Sequence, residues 1–167
     1  MAKNKNKGKF EIPNPLNDLN KLDTSKKYLF GEAANRLNEI KQHRPVFAFD
    51  YISLNNSDFC FNSSLLNGQK DYHKLFQSFK NISNKSYDEL SSNYAYHFHE
   101  VNFDDVSISQ SDFLKCLVPD VSKINPDHSP TVYQFKAFEE ARVLGFVSKM
   151  VFYLVFFDRN HKAYKRK

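Results

Sequence analysis

A chain of 167 residues suits one domain with a proper core and an additional arm. No run approaches the apolar length needed to cross a bilayer, and the N-terminus, Met-Ala-Lys-Asn-Lys-Asn-Lys-Gly-Lys, lacks the apolar segment of a secretory signal, so a cytoplasmic protein with no membrane partner is expected. The net charge of +5 is uneven: residues 1–9 and 159–167 together carry nine basic side chains and no acid, which leaves the 149 residues between them at −4. Such ends can neutralise phosphates or serve as solubilising tails.

Residues 1–22, with Pro13 and Pro15, read as a flexible basic arm, and residues 23–167 as a single domain. Asp23-Thr24-Ser25 offers N-caps for a helix to about Gln42, with Leu29, Ala33, Leu37 and Ile40 on one face. A strand over Val46 to Ile52 follows, with Phe47, Phe49 and Tyr51 sharing a face. The Asn55-Asn56 turn and the return of Asp58 to Asn62 complete a first hairpin.

Tyr72, Leu75, Phe76, Phe79 and Ile82 recur at helical spacing over Gln69 to Ile82. Ser86-Tyr87-Asp88-Glu89 has the form of a capping box opening a short helix. Another short helix is expected over Ser111 to Val118, ended by Pro119, with a loop from Asp120 to Pro130.

From Thr131 onward three runs rich in β-branched and aromatic residues, broken at Glu139-Glu140 and Ser148-Lys149, predict an antiparallel meander. Its last run, Val151 to Phe157, is apolar at every position, as in a central strand covered on both faces. The fold class expected is α+β: an antiparallel sheet made of the N-terminal hairpin and the meander, with helices packed on one face.

Seventeen Phe and nine Tyr with no Trp point to rings packed on that sheet. Phe47, Phe49 and Tyr51 can be core, or a stacking platform for single-stranded nucleic acid. Cys60 and Cys116 have no second Cys or His at metal-ligand spacing and read as buried, reduced thiols.

Tyr96-His97-Phe98-His99-Glu100 sets His97 and His99 on one face of an extended segment. Such a pair can supply an acid and a base, or hold a metal with a third ligand from His161, Asp104 or Asp105. It can equally be two surface histidines beside a buried Phe. Arg142 opens the second strand of the meander, and Asp158 to Tyr164 follows the third. A tight antiparallel turn brings these together. Arg142, His161 and Tyr164, with Arg159, Lys162, Lys165, Arg166 and Lys167 around them, would form a phosphodiester site in which cations hold the phosphate and His or Tyr moves protons. The alternative is an Arg142–Asp158 salt bridge beside a solvated basic tail.

Short helices followed by a meander with an Arg-containing strand (Arg142-Val143-Leu144-Gly145-Phe146), an apolar strand (Val151 to Phe157) and a His/Tyr/Lys ending (His161-Lys162-Ala163-Tyr164-Lys165-Arg166-Lys167) resemble the RelE/ParE family of bacterial toxins over about the last 35 residues. That resemblance implies a small α+β protein, a metal-independent and cofactor-free endoribonuclease acting on RNA at the ribosome, and an antitoxin partner. It also implies Arg142 on the phosphate, with His161 or Tyr164 in proton transfer. The chain departs from the pattern by its extra N-terminal helix and hairpin and its less basic middle. A second expectation, from a different class, is a non-enzymatic nucleic-acid- or protein-binding module of a mobile element.

Overall fold

The three apolar runs of the C-terminal part form the centre of the molecule, because each offers hydrophobic side chains at both parities. The structure, a computed structural model, describes residues 37–56, 58–62, 65–118 and 129–165. Its strands are β1 (Val46–Ala48), β2 (His99–Glu100), β3 (Val132–Lys136), β4 (Arg142–Ser148) and β5 (Val151–Asp158). The helices are α1 (Gly68–Ile82), α2 (Tyr87–Ser92) and α3 (Gln110–Leu117). Strands run in the order β1-β5-β4-β3-β2. The meander β3-β4-β5 is antiparallel, as its sequence predicts.

The first strand corrects the expected hairpin. β1 is three residues long and lies parallel to β5, pairing Val46 with Val151 and Ala48 with Tyr153, so the sheet is mixed. Asp58 to Asn62 is not a strand, although a backbone bond from Phe61 N–H to Ser53 O, 3.1 Å long, ties it to the preceding segment. The Asn56 side chain instead accepts from the N–H groups of Asp58 and Phe59 and closes a local turn. The physical reason lies in β5, an apolar strand that needs a neighbour on each edge. β4 takes one edge, and the helices between β1 and the meander supply the long crossover that a parallel partner on the other edge requires.

The helices also cover both faces of the sheet rather than one. α1 and α2 pack Leu75, Phe79, Ile82, Tyr87 and Leu90 against Phe135, Val143, Val147, Phe152, Leu154 and Phe157. α3 and the segment around Val101 to Ile108 pack Phe113, Leu114 and Leu117 against Val132, Leu144, Phe146, Val155 and Phe156. A sheet apolar on both faces has to be covered twice.

A bulge makes the two faces fit. Leu144 pairs with Phe156 and Gly145 with Leu154, so Val155 is the extra residue, and Val155 and Phe156 both turn toward α3. Gly145 sits at that step because a Cβ there would collide with the Tyr153 carbonyl oxygen and come within 2.6 Å of Phe152 Cε1.

Local signals account for the helices. Ser86 Oγ accepts from Glu89 N–H at 3.2 Å, and Glu89 Oε2 accepts from Ser86 N–H at 2.7 Å, the reciprocal capping box read in the sequence. The second of these bonds holds the Glu89 carboxyl below the usual range. Ser109 caps α3 by accepting from Asp112 N–H. Of the α1 stripe, Leu75, Phe79 and Ile82 are buried, whereas Phe76 is 60% exposed. Leu37–Glu39 is a turn of 3-10 helix; the arm and most of the helix expected from Asp23 fall outside the described residues, as does most of the loop after Pro119. Among the described residues no helix is long and apolar enough to cross a membrane.

The β4–β5 turn is built from Lys149 and Met150 at φ 47° and 71°, a two-residue connection with both residues left-handed. Glycine adopts that conformation without the Cβ penalty. Met150→Gly is therefore expected to raise stability by about 1 kcal/mol, readable as a higher urea midpoint at unchanged slope. A lower midpoint would contradict the turn.

Candidate functional site

One end of the sheet gathers polar side chains in a row. In register, Lys136 at the end of β3 faces Arg142 at the start of β4, and Arg142 faces Asp158 at the end of β5. β2 pairs His99 with Gln134, and His97 precedes it at the same rim. Strand alternation puts Arg142 and Asp158 with Leu144 and Phe156 on the α3 side of the sheet.

Arg142 is only 5% exposed. Its Nη1 donates to the carbonyls of Glu140 (2.9 Å) and Ala141 (3.2 Å), while its Nε is buried with no partner among the described residues. Burial disfavours the guanidinium charge and lowers its pKa, against the opposing pull of Glu140, Asp158 and Tyr164. No ion pair joins Arg142 to Asp158, although the two are register partners. The Asp158 carboxylate instead accepts from the backbone N–H groups of Lys162 (2.9 Å) and Ala163 (2.7 Å), so it organises the loop that follows β5.

That loop is then latched to the segment before α3. Ser107 N–H donates to Ala163 O, Val106 bridges Tyr164, and Lys165 N–H donates to Asp105 O. The latch places His161 and Tyr164 with ring centroids 5.2 Å apart. His161 takes a left-handed conformation at φ 53°.

His97 differs from the extended residue expected. The Asn93 side chain accepts from Ala95 N–H and opens a 3-10 turn, Tyr94–Tyr96, which His97 ends in a left-handed cap at φ 46°. Its pKa is lowered first by burial and then by the charges of Arg142, Lys136, His99 and His161, so each of these groups acts on the His97 imidazole. Tyr164 moves the opposite way: burial raises its phenol, with Arg142 pulling back. The exposed His97 imidazole, which gives up its proton more easily than usual, and the half-buried Tyr164 phenol, which holds its own more tightly, thus both feel the Arg142 charge.

His99 is engaged on both ring nitrogens. Nδ1 lies 2.8 Å from the Glu100 carbonyl and must donate, which leaves Nε2 to accept from Gln134 Nε2 at 2.8 Å. Its geometry is that of a positioning contact between β2 and β3. Gln134 is 2% exposed, and its Oε1 is buried without a partner among the described residues. Gln134 and Lys136 escape the motif reading of the sequence; the available signal is a Gln at an inward position of Val-Tyr-Gln-Phe-Lys, polar where the alternation demands apolar.

The basic residues expected to grip nucleic acid divide. Arg159 is committed within the fold: Nε and Nη2 donate to Asp71 at 2.6 and 3.3 Å, Nη2 reaches Glu139 at 3.1 Å, and the guanidinium lies 4.9 Å from the Phe138 ring centroid. Lys165 Nζ donates to Asp104 O at 2.8 Å. Lys162 is exposed, 3.9 Å from Asp58. Arg166 and Lys167 lie outside the described residues.

The bond from Arg159 holds the Asp71 carboxyl below the usual range. Its contribution to stability is thus present above the ordinary carboxyl pKa and lost as pH falls through the lowered one. Arg159→Met strands the buried Asp71, and about 2 kcal/mol of destabilisation is expected at pH 7, discounted because Arg159 is partly exposed. Chemical denaturation should show the loss shrinking below pH 4; a pH-independent loss would argue for packing alone.

Among the described residues no group of three His, Cys, Asp or Glu side chains could hold a metal ion. The aromatic platform also separates. Phe47 packs on Phe79, Phe135 and Phe152 on one face, and Tyr51 on Phe146 and Tyr153 on the other, because the strand ends at Ala48.

No curated protein and no solved structure matches the chain. A family profile does, over residues 54–167, a span that takes in all three helices, the meander and the whole polar row at its end. Because that span exceeds half of the sequence, the chain belongs to the family described as Uncharacterised protein UU032.

Proposed function

We propose that the chain is an RNA-directed nuclease or toxin-like protein of a bacterial toxin–antitoxin or phage-defence locus, binding phosphodiester backbone at the end of the meander. The observation that carries this reading is the buried Arg142, with an unpartnered Nε, in a setting where His97 loses its proton easily and Tyr164 keeps its own. Titratable groups pushed apart around one cation suit metal-independent proton transfer at phosphate. Arg142 would carry the developing charge, His97 would take a proton, and Tyr164 or His161 would give one. RNA or the ribosome is the partner this chemistry serves, and an antitoxin the partner that would restrain it.

A second reading, a non-enzymatic nucleic-acid- or protein-binding module, draws on the Nη1 bonds of Arg142 to Glu140 and Ala141, which give the guanidinium a structural task. Growth separates the two. Expression in a bacterium should slow growth, and His97→Asn with His161→Asn should restore it, Asn being chosen because it tolerates the left-handed backbone at both positions. Equal growth of both strains would count against catalysis. With Tyr164 as the acid, any cleavage measured should rise with pH through a midpoint below the ordinary histidine value and then level off, since the active His97 is the neutral form; a profile with no rising limb would exclude it as the base.

A further inference from the structure

A cleft of about 390 Å³ opens between α1 and the β3–β4 connection, on the other side of the His97 and Lys136 rim from Arg142. Ser78, 7% exposed on α1, lines it and has no side-chain hydrogen bond among the described residues. Two aromatic rings contribute walls. Phe138 is already covered by Arg159 and by Lys74, the latter 5.6 Å from its centroid, which leaves the half-buried Tyr96 as the available ring. Lys74 is paired with Glu139, whereas His73 and Lys136 have no ion-pair partner among the described residues. The cleft thus combines an aromatic wall, a hydroxyl and a basic rim without ion-pair partners among the described residues, in a volume within the usual range for small-ligand sites, about 300–1,000 Å³.

We propose that this cleft receives one nucleotide unit, its base against Tyr96 and Ser78 and its phosphate at Lys136 and His73. Tyr96 precedes His97 directly and Lys136 pairs with Arg142, so the cleft adjoins the row at the sheet end. For an RNA strand the inference rests on the phosphodiester reading above; for a free mononucleotide it stands alone. A base stacked on an aromatic ring explains why a ring and a cationic rim occur together here, since every base has a face to stack while the phosphate supplies the anion.

Binding of adenosine and uridine monophosphates and of a six-nucleotide single-stranded RNA should be titrated on the full chain and on Tyr96→Ala, Lys136→Ala and Ser78→Leu, the last placing a side chain inside the cleft. Each variant is first required to keep the wild-type circular dichroism spectrum, and if Ser78→Leu fails this the other two decide. Tyr96→Ala is expected to weaken mononucleotide binding and RNA binding about 5- to 100-fold. If RNA binding is unchanged by Tyr96→Ala and Ser78→Leu yet lost in Arg142→Gln, the inference falls and the phosphodiester reading stands. If mononucleotides bind and respond to Tyr96→Ala while RNA binding ignores Arg142→Gln, the cleft is supported and the phosphodiester reading falls. Failure of the wild-type chain to bind either ligand overturns the cleft assignment.

Discussion

Asp158→Ala is expected to lower stability by about 3 kcal/mol, a fall of about 9 °C in melting temperature for a chain of this size. The carboxylate is fully buried and accepts two backbone hydrogen bonds, from Lys162 and Ala163, so its removal leaves two N–H groups without acceptors in a dry site. It also removes the negative charge opposite the buried Arg142. The consequence reaches further than stability, because those two bonds fix the loop that presents His161 and Tyr164. Asp158→Asn keeps one acceptor oxygen and should fall between wild type and alanine. Calorimetry reads both, and an alanine variant melting within about 2 °C of wild type would mean that the loop is held by the Ser107 and Val106 latch alone.

Gly145→Ala is the second large effect. The new methyl group would meet the carbonyl of Tyr153, a backbone atom in the partner strand, so relief requires β4 and β5 to separate at the bulge. Overpacking of a core costs about 1–3 kcal/mol where side chains can yield; with backbone in the way the upper end is expected, about 3 kcal/mol, in an α+β core where almost every neighbour is fully buried. A shift of the bulge, seen as altered amide exchange at Leu144 to Phe146 and Leu154 to Phe156, should accompany it. Unchanged stability would contradict the register of these two strands.

What the sequence displayed and what it hid follow from the range of each interaction. α1, α2 and α3 were legible because their caps and stripes are local: the Ser86–Glu89 box and the Leu75, Phe79, Ile82 series are complete within one segment. The meander was legible because its turns are short. The partner of β1 was not, since Val46 to Ala48 meets β5 across about a hundred residues of chain and nothing near Val46 encodes that choice. The same long range hid the second covered face, although the unbroken apolar run of Val151 to Phe157 already required it.

The site divides in the same way. Arg142 opposite Asp158 follows from a hairpin and could be deduced. The commitment of Arg159 to Asp71 could not, because Asp71 lies on α1 and the two meet only when α1 packs on the sheet. Gln134 and Lys136 take their significance from β2 and β4, their neighbours on either side, and are ordinary residues when read along the chain.

Binding of the purified protein to single-stranded RNA across a range of salt concentrations tests the phosphodiester site most directly. Affinity should fall linearly on logarithmic axes, and the Lys136→Ala, Arg142→Gln double variant should flatten the slope by about 1.4, two phosphate contacts at about 0.7 each for a single strand. A slope unchanged in the double variant, with its fold intact by circular dichroism, would contradict a phosphate site at this end of the sheet.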